Sequence, residues 1–165
     1  MHDIVKEDIN WLIQHTDWEA FQNKKILITG ASGSIARYIV FYFMILSEVK
    51  DLECDVYALV RNQEKAKQVF EDYLMHPRFH LTIGSVEEAA SCVDNMNYIF
   101  HAAGISTSKL FSKNPVEIMC TNLIGTYYLL DRIARNQQQK IDKFIFFSSG
   151  AVYGTLPNLE MSVNE

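Results

Sequence analysis

The 165-residue sequence holds only three cysteines, three prolines and seven glycines. Cys54, Cys92 and Cys120 are odd in number and far apart, and no CxxC pair occurs. A disulfide framework and a thiolate metal site are therefore excluded, and free thiols in a reducing compartment are expected. No Pro/Gly/Ser linker, low-complexity tract or internal repeat divides the chain. Long apolar runs are missing too: residues 38–46 form the longest, behind Arg37, well short of the roughly 18 needed to cross a bilayer. The acidic N-terminus has neither the basic nor the apolar region of a signal peptide. There is no basic excess either, with 15 basic against 20 acidic residues and a net charge of -5. No block of one sign suggests a nucleic-acid arm. These absences describe a soluble, cytoplasmic protein without a nucleic-acid or membrane partner.

What the chain does have is apolar and aromatic mass, 48% and 12% of residues, enough for the core of one domain of ordinary size. From Lys25 onward, β-rich runs alternate with helical stretches. Strands are expected at residues 26–29, 55–60, 79–83, 98–101 and 143–148, and helices at 34–50, 63–74 and 115–136. Most of the strands are continuous apolar runs, as expected when both faces of a sheet are covered. The pattern is that of an α/β protein with a Rossmann-type, doubly wound parallel sheet. Residues 1–24 read as a separate helical preface: Ile4, Val5, Ile9, Leu12 and Ile13 share one helical face. Thr16 and Glu19 have the spacing of a capping box for a second short helix bearing Trp18 and Phe21. The helix near residue 115 carries Asn114 at its N-cap position, Pro115 at its first position, and Arg132 and Arg135 in its last turns.

The most informative stretch is Thr29-Gly30-Ala31-Ser32-Gly33-Ser34-Ile35-Ala36, between the first strand and the first crossover helix. Gly30 permits a tight exit from the strand, and Gly33 lets a pyrophosphate approach bare backbone. The N–H groups at Ser34 and Ile35, at the positive end of the helix dipole, would hold the anion together with Ser32. Ala36 stands where a third glycine often packs helix against strand. His76 and His80 are separated by Pro77, so they form no helical metal pair.

Four further motifs follow in order: Ala58-Leu59-Val60-Arg61-Asn62, His101-Ala102-Ala103-Gly104, Thr121-Asn122-Leu123-Ile124-Gly125-Thr126, and Phe147-Ser148-Ser149-Gly150-Ala151-Val152-Tyr153-Gly154. With the Gly-x-x-Gly-x-x-Ala loop they resemble the extended short-chain dehydrogenase/reductase group, the NAD-dependent epimerase/dehydratase family of nucleotide-sugar enzymes, over residues 25–154.

The resemblance implies a bound NAD or NADP. Arg61 ends the second strand where an acid would select the 2′-OH of NAD. An arginine there, with Lys65 a turn later, favours the 2′-phosphate of NADP, although Arg61 also reads as a solvated loop charge or as a cation stacked on adenine. Ser85 and Val86 stand where relatives place Asp-Val/Ile at the adenine; Ser85 equally reads as the N-cap of a helix led by Glu87 and Glu88. Ala102, Ala103 and Gly104 would run along the cofactor, with Ser148 beside it, while His101 reads as a packed histidine at the strand end. Asn122 is an amide in an apolar helix, either hydrogen-bonded in the core or, by resemblance, on the cofactor side.

Ser149 matches the serine that binds the reacting oxygen beside a Tyr-x-x-x-Lys pair, whose tyrosine transfers the proton and whose lysine lowers that tyrosine's pKa. None of the eight tyrosines is followed four residues later by lysine. The resemblance would put the pair beyond Glu165. The expectation is therefore the N-terminal, cofactor-binding part of a longer epimerase or dehydratase, its sheet incomplete at the C-terminus and the chain alone inert. The alternatives are an NADPH-dependent carbonyl reductase of the same group and a dinucleotide-binding module without turnover. The resemblance also implies a nucleotide-sugar substrate and a homodimer through the helix near residue 115, with Tyr127 or Tyr128 on its apolar outer face.

Overall fold

A computed structural model describes residues 3–105, 113–136 and 140–154. In chain order the elements are α1 Asp3–His15, β1 Lys24–Thr29, α2 Ser34–Lys50, β2 Cys54–Val60, α3 Gln63–Val69, β3 Phe79–Ile83, β4 Tyr98–His101, α4 Pro115–Met119, α5 Thr126–Arg135 and β5 Lys143–Phe146. The five strands form one parallel sheet in the order β3-β2-β1-β4-β5. The order reverses between β1 and β4, and the crevice beyond their carboxyl ends is where doubly wound sheets take ligands.

Alternation along β1 sends Ile26 and Ile28 into the core on the α2 side and Leu27 into a second core with Leu59, Val93, Ile99 and Leu129. Both faces of this strand are thus covered, which is why Ile26, Leu27 and Ile28 run apolar without a break. The nine-residue apolar run lies in α2. It is apolar nearly all round because Phe43 packs on Phe21 and Phe100, while Phe41 turns to Phe70 and Tyr73. The N-terminal helix α1 packs on α2 and buries Ile9 and Ile13 in the same core. Among the described residues no helix is long and apolar enough to cross a membrane.

Several local expectations are corrected. Thr16 does not cap the short 3-10 turn Glu19–Phe21, which starts from Trp18 without a side-chain cap. Its hydroxyl turns back to the Leu12 carbonyl at 2.7 Å and meets the Tyr42 hydroxyl at 2.7 Å, so it closes α1 onto α2 instead. The helix expected through residue 74 ends at Val69: Phe70 is buried with its backbone out of the helical region, and a 3-10 turn, Glu71–Tyr73, follows. Asn114 occupies the N-cap position of α4 but leaves the backbone uncapped, its amide donating to Glu117 Oε2 at 3.0 Å. β5 stops at Phe146, so Ser148 and Ser149 lie past the strand on the exit chain.

The long helix is also not uniform. Between α4 and α5 the backbone widens into a π turn, Cys120–Gly125, a feature that concentrates at functional sites. Gly125 faces Val86 so closely that a Cβ there would stand 3.3 Å from the valine side chain. A side chain at this position would require Val86 to give way by a few tenths of an ångström.

Candidate functional site

The chain leaves β1 through Gly30 at φ +64, a left-handed conformation that side chains other than glycine's rarely adopt. The Ala31 N–H is taken by the Leu59 carbonyl at 3.2 Å and the Gly33 N–H by the Gly30 carbonyl at 2.8 Å. Gly33 then starts α2 in an extended conformation with no side-chain cap. The first-turn amides of α2, at Ser34 and Ile35, keep the positive end of the dipole available to an anion. The Ser34 and Ile35 side chains are exposed; that of Ile35 lines a separate apolar groove with Leu12, Tyr38 and Phe100.

Two cavities lie along the carboxyl edge. One, of about 290 Å³, is lined by Gly30, Ser32, Gly33, Arg61, Lys65, Val86 and Thr121 among others. The second, of about 500 Å³, is lined by Ile105, Asn122, Phe146, Phe147, Ser148 and Ser149. Ala102, Ala103 and Gly104 line both, so the two form one trough across the β1/β4 switch point. The first lining contains two cations and no acid. Arg61 Nη1 lies 3.7 Å from Glu117 Oε1, joining the end of β2 to α4, with both side chains about half exposed.

Ser85 takes the N-cap role that its sequence also allowed. Its hydroxyl accepts the Glu88 N–H at 3.2 Å while its own N–H donates to Glu88 Oε2 at 3.3 Å, a reciprocal capping box. It is absent from the cleft lining, and Val86 beside it is present.

Asn122, placed by the π turn, clamps the chain leaving β4. Its Oδ1 accepts the Ile105 N–H at 2.9 Å and its Nδ2 donates to the Ile105 carbonyl at 3.3 Å. The core hydrogen bond and the place beside the trough are thus the same role.

His101 is buried, and both ring nitrogens are engaged: Nδ1 with Thr29 Oγ1 at 2.7 Å and Nε2 with Thr126 Oγ1 at 2.8 Å. Thr126 spends its proton on the Asn122 carbonyl at 2.8 Å, and Thr29 Oγ1 also accepts the Ala103 N–H at 3.1 Å. Burial pushes the imidazole pKa down to about 4, so the ring is neutral near pH 7 and packed between these threonines. Sequence reasoning did not single out Thr29 or Thr126. A usable signal existed, since Thr29 and His101 are polar residues at the carboxyl ends of β1 and β4, and parallel register sets them side by side.

The geometry agrees with the comparisons. Residues 26–164 match the model of the NAD dependent epimerase/dehydratase family. Over 139 residues the chain is 27% identical to UDP-glucose 4-epimerase of Rickettsia rickettsii (strain Sheila Smith), covering 81% of this chain and 39% of that protein. The fold is shared with UDP-N-acetylglucosamine 4-epimerase from Methanobrevibacter ruminantium M1, at TM-score 0.68 and 21% identity over 87% of this chain and 44% of that one. It is shared equally with UDP-glucuronic acid 4-epimerase from Bacillus cereus, solved with UDP-glucuronic acid and NAD, at TM-score 0.68 and 21% identity over 86% and 44%. The chain thus spans about two fifths of the length of the relatives it matches. With the glycine loop, the parallel sheet and a family match running from β1 to residue 164, the chain belongs to the NAD dependent epimerase/dehydratase family.

Proposed function

We propose that the trough binds a nicotinamide dinucleotide, as the cofactor-binding part of a cytoplasmic nucleotide-sugar epimerase or dehydratase. The observation that carries this is the continuity of the trough through Ala102–Gly104, where small side chains leave the backbone open beside the glycine loop. The residues fit the group. Gly30, Ser32, Gly33 and the first amides of α2 make a cradle for the pyrophosphate, and any Cβ at Gly30 would strike the Ala103 backbone. Val86 and Thr121 would flank the adenine, Arg61 and Lys65 would hold the charged end of its ribose, and Asn122 and Ser148 would border the nicotinamide half. When bound, the cofactor supplies the hydride acceptor for a sugar carbon and returns that hydride.

Arg61 and Lys65 support a preference for NADP, whereas the Bacillus cereus neighbour was solved with NAD. Glu117 draws on the same guanidinium, and a 2′-phosphate has to compete with it. Ser149, lining the second cavity, is positioned to hydrogen-bond a sugar hydroxyl or ketone. The substrate class follows the relatives, whose names carry UDP-sugars. The protein is further proposed to pair with a second copy through the exposed face of α4 and α5.

These 165 residues contain no Tyr-x-x-x-Lys, which favours binding without turnover by this chain alone. Calorimetric titration of the chain with NAD and with NADP tests the reading. Saturable binding of at least one is expected, and no heat from either at millimolar concentration would end it.

A further inference from the structure

The buried hydrogen-bond chain through His101 has a direction that the donor and acceptor inventory determines. The Thr126 hydroxyl has one proton, and it goes to the Asn122 carbonyl, which can only accept. Thr126 Oγ1 must therefore accept from His101, which makes Nε2 the protonated nitrogen. Nδ1 is then an acceptor, filled by the Thr29 hydroxyl. The Thr29 oxygen in turn accepts the Ala103 N–H. Each group in the chain is satisfied once, and all the protons run one way, from Ala103 through Thr29, His101 and Thr126 to Asn122.

The residues at both ends of this chain border the trough, Ala103 lining both cavities and Asn122 the second. Ala103 is the backbone against which Gly30 packs, and Asn122 is the side chain that clamps Ile105. Among the described residues no charged group is a partner: β1 offers Thr29, α5 offers Thr126, and β5 offers the rings of Phe144 and Phe146. A second proton on the ring would turn Nδ1 into a donor and leave the Thr29 hydroxyl proton without its acceptor, with no carboxylate to compensate.

We propose that His101, as the neutral Nε2–H tautomer, is a positioning residue that ties the Gly30–Ala103 wall of the dinucleotide trough to the π turn carrying Asn122. It rests on the dinucleotide reading only for its effect on affinity; the tie itself is a property of the free chain. His101 would touch no substrate atom and would act through Ala103 and Asn122.

The test uses the chain labelled with nitrogen-15. The imidazole spectrum should show Nε2 protonated and Nδ1 bare at pH 7, and His101 should stay neutral at pH 5.5. A protonated Nδ1 or a cationic ring at that pH would overturn the assignment. Thr126→Val removes the acceptor on the Nε2 side from outside the trough, and His101→Phe removes both bonds. Each should speed exchange of the Ala103 amide and weaken dinucleotide affinity about tenfold, the worth of a lost buried hydrogen bond. His101→Asn, which restores an acceptor toward Thr29, should recover part of both. If His101→Phe does not fold, Thr126→Val decides alone, and unchanged Ala103 exchange and affinity in it would refute the tie. Should the wild-type chain bind neither NAD nor NADP, the dinucleotide reading fails, while tautomer and amide exchange still judge the role of His101.

Discussion

Gly30 and Ala103 approach so closely that a Cβ built on Gly30 would stand 2.8 Å from the Ala103 Cα and 2.9 Å from its nitrogen. The β1–α2 loop and the exit of β4 are therefore packed backbone to backbone, with no flexible side chain able to yield. Gly30→Ala would combine a strained left-handed residue with an overlap against main chain. The expected cost is about 3 kcal/mol, with dinucleotide binding lost because the two walls are forced apart. Thermal unfolding and calorimetry on the same preparation check both parts. A stable variant that binds normally would show that the contact is looser than described.

The buried histidine sets an acid limit on stability. Its folded pKa, about 4, lies below the ordinary 6.5, so between these values the unfolded chain holds a proton that the folded chain refuses. The contribution is fully present above pH 6.5 and is lost as pH falls toward 4, to a total of about 3 kcal/mol. Urea unfolding across that window should show His101→Phe with a flatter acid slope than the wild type. Equal slopes would mean that His101 titrates alike in both states.

Arg61 and Glu117 should govern which dinucleotide is taken. A half-exposed pair 3.7 Å apart contributes little to stability, so its substitutions can be read in binding. Glu117→Gln releases the guanidinium and should raise affinity for NADP several-fold while leaving NAD nearly unchanged. Arg61→Ala should abolish any preference for NADP. An identical NADP/NAD ratio in all three proteins would remove Arg61 from cofactor selection.

Which parts were legible in the sequence follows from the range of the interaction involved. The glycine loop is a local code: Gly30 and Gly33 sit between an apolar strand and a helix, and the turn chemistry needs nothing further away. β1 was legible because burial on both faces makes Ile26, Leu27 and Ile28 an unbroken apolar run. Ser85 was ambiguous because Ser-x-x-Glu serves as a cap, and the same serine could face an adenine; the structure shows the cap. The link between Thr29 and His101 spans 72 residues and depends on strand order. The contact of Gly125 with Val86 likewise joins the π turn to a segment nearly 40 residues away, which no local pattern records.

Asn122 supplies a test that separates donor from acceptor. Asn122→Asp keeps the oxygen that accepts the Ile105 N–H but turns the amide donor into a second acceptor facing the Ile105 carbonyl. At neutral pH this should destabilise the chain by about 1–3 kcal/mol, and acidification should recover part of the loss as the carboxyl regains a proton to donate. Melting temperatures measured against pH for Asn122→Asp and Asn122→Ala distinguish the cases, since only the aspartate variant should recover. Matching profiles would show that the Nδ2 bond carries no weight.

The outer face of the long helix bears on assembly. Val116, Met119, Leu123, Tyr127 and Leu130 recur at three- and four-residue intervals from α4 through the π turn into α5, and they are 45 to 71% exposed. An apolar stripe of this length left in water favours association, and a helix face meeting its own copy about a two-fold axis is self-complementary without further design. The chain is expected to be dimeric by light scattering at micromolar concentration. Leu123→Glu places two carboxylates at the centre of that contact and should give a monomer. Because Leu123 lines neither cavity of the trough, dinucleotide affinity should survive the change. A wild-type chain that remains monomeric at the highest concentrations measured would sink the pairing and leave the binding reading untouched.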